Sequence, residues 1–158
     1  MNRQYPYLTE RTTVAPIMNV SIDEFLTFAR IRDNLEQQEE ADTDAIIRSA
    51  YEMVFGIIPS QGTYEFYFRR GNTVFVIPMT QISLNGWSKL PNGYSCLKEE
   101  RTEDFSVTGL LIYSQDAQKA IKTAIYTIAK DMYDNRGLSM LSGTPKEQVR
   151  RILEQYKS

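Results

Sequence analysis

The sequence predicts an α+β fold: a small helical bundle with an antiparallel β element inserted into it. Three observations carry that expectation. Apolar residues recur at helical spacing in four stretches, 21–31, 43–56, 115–136 and 145–157. Between the second and third, residues 64–113 alternate apolar with polar side chains and are broken by turn signals. The 158 residues, 42% hydrophobic and 24% charged, can bury a core without disulfides or metals.

The elements follow in order. Residues 1–19 hold Tyr5, Pro6, Tyr7 and Pro16 among polar neighbours with no helical period, and read as an arm. Such an arm is either a partly ordered terminus or a segment that docks on a neighbour. Ser21-Ile22-Asp23-Glu24 is a capping box, with Ser21 as cap and Glu24 reaching back. Ile22, Phe25, Leu26 and Ala29 continue the first helix, which fades over Arg30–Asp33. Residues 32–44 carry six acids (Asp33, Glu36, Glu39, Glu40, Asp42, Asp44) against Arg32 alone. They lack the glycine and spacing of a calcium loop, so the run reads as a solvated loop whose last acids favour the next helix N-terminus.

The second helix presents Ile46, Ile47, Ala50, Met53 and Val54, and is stopped by Gly56 and Pro59. Tyr64–Phe68 and Thr73–Ile77 read as strands around an Arg69–Asn72 turn. Ile82–Trp87 is a third candidate strand, and Asn92-Gly93 turns the chain into Tyr94–Leu97. Lys98–Asp104 reads as a charged loop or hairpin tip, and Phe105–Tyr113 as the last strand.

Ser114 then caps the most regular helix. Its stripe is Ala117, Ile121, Ala124, Ile125, Ile128 and Met132; Tyr126 and Tyr133 lie on a flank, and Gly137 ends it. Thr144-Pro145-Lys146-Glu147 opens a final helix with Val149, Ile152, Leu153 and Tyr156 on one side. From 144 to 158 there are four basic residues and two acidic ones. This helix either packs on its own domain or seeks a partner. The expected organisation is an arm (1–19), a core (20–143, with the β insert at 64–113) and a C-terminal helix (144–158).

Composition excludes several chemistries. There is no histidine, which removes Ser-His-Asp and Cys-His catalysis and the commonest zinc ligand. Cys96 is the only cysteine, so no intrachain disulfide forms, and without a histidine partner it reads as a structural thiol. The adjacent acids Asp23/Glu24, Glu39/Glu40 and Glu99/Glu100 are sequence neighbours, whereas acid–base pairs face each other across a substrate. Arg69-Arg70 beside Tyr64, Phe66 and Phe68 has the composition of a base-stacking surface, yet alternating aromatics on a strand more often form a core or an interface. No catalytic, cofactor or metal residue is expected. The N-terminus has no signal-peptide core and no apolar run reaches a membrane span, so the expectation is assembly in the cytoplasm. A net charge of −2 and ten tyrosines favour an interaction protein over an enzyme or a nucleic-acid coat.

Two segments resemble a known family. "VSIDEFLTFARI", a short acidic stretch and "DTDAIIRSAYEMVF" are similar to the start of the gp6-like adaptor family of tailed-phage head–tail connector proteins. "AIKTAIYTIAKDMYDNRG" resembles that family's late helix, with Ile121, Lys122, Ala124, Tyr133, Asn135 and Arg136 on the matching positions. The likeness covers roughly 20–58 and 105–137, the strands matching in character only. The arm and the helix after Pro145 depart from the shortest members.

The resemblance implies a structural protein of the virion neck, forming a closed ring of about twelve copies between the portal and the stopper or tail-completion proteins. DNA would pass through the lumen without being read, and no membrane or cofactor is implied. An acidic flank meeting a basic one suits head-to-tail contacts. Glu36, Glu39, Glu40 and Asp42, with Tyr126 and Tyr133, are the subunit-interface candidates. Lys146, Arg150, Arg151 and Tyr156 are the candidates for the portal or the adjacent subunit. The alternative is a small phage-encoded regulatory protein that binds a host factor; an enzyme relying on Tyr, Asp or Glu would need a deep pocket with a strongly perturbed carboxylate.

Overall fold

The computed structural model describes residues 2–12, 18–31, 35–135 and 143–157, with the side chains of 143–146 excluded. The fold is α+β. The chain forms two compact units: Met1–Ile17 with Ser60–Tyr113, and Met18–Pro59 with Ser114–Lys157. No helix among the described residues is long and apolar enough to cross a membrane.

The second unit is helical. Helix α1 spans Ile22–Ala29, α2 Gln37–Phe55, α3 Gln115–Asp134 and α4 Gly143–Glu154. The α3 stripe is the core: Ile121, Ala124, Ile125 and Ala129 are fully buried and Ile128 nearly so. Each buried isoleucine contributes about 1.5–3 kcal/mol, and the alanines let α2, α4 and α1 pack closely on α3. Ser114 caps as expected, its Oγ accepting from Ala117 N at 3.2 Å. The Arg136–Gly137 helix end lies outside the described residues.

Helix α2 begins at Gln37, six residues before the expected Thr43. Much of the acidic run is therefore helix rather than loop. Gln, Glu and Ala are strong helix formers, and Glu39 and Glu40 occupy the first turn, where the positive end of the helix dipole favours them. The stretch lacks an apolar stripe until Thr43, which is itself buried, so periodicity alone could not place it. Asp33 lies outside the described residues. Helix α1 stops at Ala29 because Arg30 turns left-handed (φ 59°), its N–H bonding the carbonyls of Leu26 and Thr27; a non-glycine there carries no signal in sequence.

The first unit holds two sheets. Strands β1 (Arg3–Gln4), β4 (Gly71–Ile77), β6 (Ser95–Arg101) and β5 (Ser88–Lys89) form one, in the order β1-β4-β6-β5. Strands β2 (Leu8–Thr12), β3 (Gly62–Phe68) and β7 (Phe105–Leu111) form the other, in the order β2-β3-β7. All pairings are antiparallel except β1 with β4. Residues read as an arm thus supply one strand to each sheet. β2 lies on β3 closely enough that a Cβ at Gly62 would meet the Thr12 carbonyl oxygen at 2.7 Å, which requires glycine there.

Two other expectations change. Ile82–Trp87 is not a strand: Ser83 makes a single bridge to Leu110, and Gly86 (φ 81°) turns the chain before β5. Lys98–Arg101 is not loop but the end of β6, paired with Val74 back to Gly71. The sheets share an aromatic core. Phe68 is fully buried, with ring centroids at 5.4 Å to Phe75, 5.2 Å to Phe105 and 5.9 Å to Trp87.

Candidate functional site

Among the described residues no group of three metal-ligating side chains converges. Cys96 is half-buried in β6, opposite Val76 and Ser88. Arg69 and Arg70 do not join a stacking surface, because Tyr64, Phe66 and Phe68 are buried at 6%, 1% and 0% exposure. Instead the Asp104 carboxylate accepts from Arg70 N at 2.9 Å and from Arg69 Nη1 at 3.2 Å, and the Arg69 guanidinium lies 4.1 Å from the Tyr7 ring. The backbone N–H of Arg70 and the Arg69 charge hold the Asp104 carboxyl below the ordinary range. These contacts tie the β3–β4 turn to the β6–β7 turn and to the chain's start.

The helical unit carries a groove of about 650 Å³ between α1 and α3, with Phe28 and Tyr126 among its apolar walls and Glu24 and Lys122 on its rim. Its polar network is built by the capping residues. Ser21 Oγ accepts from Glu24 N at 3.1 Å, the expected half of the capping box. The other half is rerouted: Ser21 N donates to Tyr126 Oη at 3.2 Å, and Tyr126 Oη donates to Glu24 Oε1 at 2.6 Å. Lys122 Nζ lies 3.2 Å from the same carboxylate oxygen. The Tyr126 hydrogen bond, then Lys122, lowers the Glu24 pKa against the opposing effect of burial. Desolvation, then the facing Glu24 carboxylate, raises that of Tyr126.

A carboxylate with a depressed folded-state pKa adds stability that is present above its ordinary value of 4.5 and lost as pH falls through the lowered one. Tyr126→Phe is therefore expected to cost about 1 kcal/mol at neutral pH, the Glu24 carboxylate being nearly half exposed. It should also flatten the acid limb of stability below pH 4.5. Urea melts from pH 3 to pH 7 (about 3 to 7, spanning carboxylate titration) test both; parallel curves for the variant and the parent would refute the network.

The sequence-predicted surface residues fall into three groups. Glu36, Glu39, Glu40 and Asp42 are exposed at the start of α2, and Asp42 accepts from Gln38 Nε2 at 3.2 Å. Arg150 and Arg151 are exposed on α4, Arg150 pairing with Glu147 at 2.9 Å, while Tyr156 is half-buried. The Lys146 side chain lies outside the described residues. No salt bridge joins the acidic set to the basic set among the described residues. Tyr126 is 3% exposed and Tyr133 packs edge-on against Phe25 at 5.9 Å. Tyr126 thus holds α1 to α3 and has almost no surface left for a subunit contact.

Sequence reading missed one surface, the outward face of the β2-β3-β7 sheet. Leu8, Glu10 and Thr12 lie opposite Tyr67, Glu65 and Thr63, with Ser106, Thr108 and Leu110 on the far strand. Its edge strand carried the weakest signal, because the alternation Leu8-Thr9-Glu10-Arg11-Thr12 is too polar and too short to mark a strand.

No family model and no curated protein matches the chain. Solved chains from gene transfer agent particles share its fold. One comes from the neck of an empty gene transfer agent particle, computed with C6 symmetry: TM-score 0.60, 12% identity, 96% of this chain and 95% of that one covered. Another comes from the virion of the native gene transfer agent particle: TM-score 0.57, 12% identity and the same coverage. At such identity the likeness is one of fold.

Proposed function

We propose that the chain is a structural component of a tailed-phage or phage-like particle, an adaptor that forms a ring in the neck between the portal and the stopper or tail-completion proteins. The single observation that carries this reading is the fold shared with a neck chain over 96% of the length. The capped first helix and the late stretch Ala120–Gly137, which resemble the gp6-like adaptors, support it from the sequence side. The work is done by surfaces and not by bond-making chemistry.

A ring requires that two different patches of one chain meet. The exposed arginines of α4 (Arg150, Arg151) are opposite in sign to two acidic surfaces, the start of α2 (Glu36, Glu39, Glu40, Asp42) and the outward face of the β2-β3-β7 sheet (Glu10, Glu65), and a contact with either suits that role, α4 facing the portal or the adjacent subunit. The sixfold symmetry applied to the neighbour's neck is compatible with six or about twelve copies. An acidic lumen would let DNA pass without gripping it.

The test is mass measurement of the purified chain alone and with a portal complex, followed by imaging of particles carrying a label on this chain. A ring on the portal and label at the head–tail junction are expected. A chain that ignores the portal and is absent from finished particles would instead point to a regulatory protein acting on a host factor.

A further inference from the structure

We infer that the outward face of the β2-β3-β7 sheet is the docking surface for the α4 helix of a second copy of this chain. The inference rests on the ring reading and assigns the acidic side of its head-to-tail contact.

The face has an unusual charge arrangement for an isolated sheet. Glu10 and Glu65 stand directly opposite in the β2–β3 register, where like charges destabilise the pair. Neither makes a salt bridge among the described residues. Tyr67, two residues along β3 from Glu65 and opposite Leu8, donates its hydroxyl to Glu10 Oε2 at 3.4 Å. Partial desolvation and the two carboxylates push that phenol up to about 12, so it stays a neutral donor at any assembly pH. Beside this acidic centre, Leu8 is 45% exposed and Leu110 47%. An acidic centre with apolar flanks is complementary to a helix that presents arginines among methylene stems.

Helix α4 is such a helix. Val149 and Leu153 face inward at 5% and 1% exposure, which leaves Arg150 and Arg151 outward. Arg151 makes no ion pair among the described residues, and the Arg150–Glu147 pair is more than half exposed on both sides and easily exchanged. Two arginines against two opposed carboxylates and a tyrosine ring satisfy the charge and stacking preferences of both surfaces.

The competing acidic surface, at the start of α2, is already compensated. Glu39 and Glu40 sit in the first helical turn, on the positive end of the dipole, and Asp42 has a partner in Gln38. On the sheet face Glu10 and Glu65 have only the neutral Tyr67 hydroxyl beside them, with no helix dipole and no salt bridge among the described residues. A nucleic acid is excluded as occupant by the sign of the charge. The sheet face and α4 are two different patches, so their contact is heterologous, the kind from which a ring is built.

The experiment uses the full chain in concentrated solution. Glu65→Cys and Arg151→Cys chains, each also carrying Cys96→Ser, are mixed in equal amounts and treated with a short bifunctional maleimide. The expected product is a dimer linked 65 to 151, with 65-to-65 links absent. In sedimentation, Glu10→Lys/Glu65→Lys should self-associate at least about tenfold more weakly than the parent. Mixing it with Arg150→Glu/Arg151→Glu chains should restore association. Glu39→Lys/Glu40→Lys should behave as the parent.

A parent that self-associates without the 65-to-151 link, or that is weakened only by the α2 reversal, overturns the assignment and leaves the ring reading standing. A parent that stays monomeric throughout also overturns it. The ring reading itself fails only if imaging finds no ring of this chain in particle necks.

Discussion

Phe68→Ala is expected to be the most damaging single substitution in the β unit, lowering stability by about 3–5 kcal/mol. The side chain is fully buried and touches three aromatic rings drawn from both sheets: Phe105 on the β2-β3-β7 side, Phe75 on the β1-β4-β6-β5 side, and Trp87 from the connection before β5. Truncation removes the transfer energy of one ring and leaves a cavity that stiff neighbours cannot collapse into. Phe75 and Phe105, edge-on at 4.8 Å, would each lose a partner. The chain reports on itself, because Trp87 is its single tryptophan. Its emission should shift to longer wavelength, and the midpoint of its thermal transition should fall by roughly 10 °C. Phe28→Ala is the comparison: that ring is 39% exposed, and its loss should be far milder. Equal effects from the two substitutions would mean that the Phe68 cluster does not hold the sheets together.

The contrast between these phenylalanines shows where sequence reading succeeds. Local periodicity reports which face of an element is buried. It gave the α3 stripe from Ala117 to Ile128 correctly, because every residue of that stripe answers to one axis. It gave Tyr64, Phe66 and Phe68 as one strand face for the same reason. What it could not give are pairings between distant segments. Tyr126 meets Glu24 across 102 residues, and that contact replaces the local reach of Glu24 in a capping box. Strand β2 exists because β3 offers an edge and Gly62 allows close approach, neither of which is visible in Leu8–Thr12 itself. The helical start at Gln37 follows from propensity and dipole, terms that an apolar-period reading does not weigh. The candidate surface residues were legible as charges but not as surfaces. Arg150 and Arg151 became one only when Val149 and Leu153 were seen to turn inward. Tyr126, read as a flank residue, proved buried.

Removing residues 144–158 is expected to destabilise the helical unit by about 3–6 kcal/mol, since it strips two side chains that are 5% and 1% exposed, Val149 and Leu153, from α3. The sequence alone left open whether α4 packs at home or seeks a partner. The geometry leaves room for both: Val149 and Leu153 turn inward to the core while Arg150 and Arg151 stay exposed. A deletion therefore cannot isolate the assembly role, because a chain with an opened core fails to assemble for the wrong reason. Arg150→Ala/Arg151→Ala separates the two. Both side chains are exposed and the one ion pair lost is a surface pair, so the unfolding free energy should stay within about 0.5 kcal/mol of the parent. Leu153→Ala should cost about 2–5 kcal/mol while keeping both arginines. If α4 acts as an assembly surface, the arginine variant yields a stable chain and heads that do not acquire tails. Leu153→Ala should then recover function at low temperature, where enough of the chain is folded. The reverse pattern, arginine variants that join heads to tails normally and a Leu153 variant that never does, would assign α4 to the core alone.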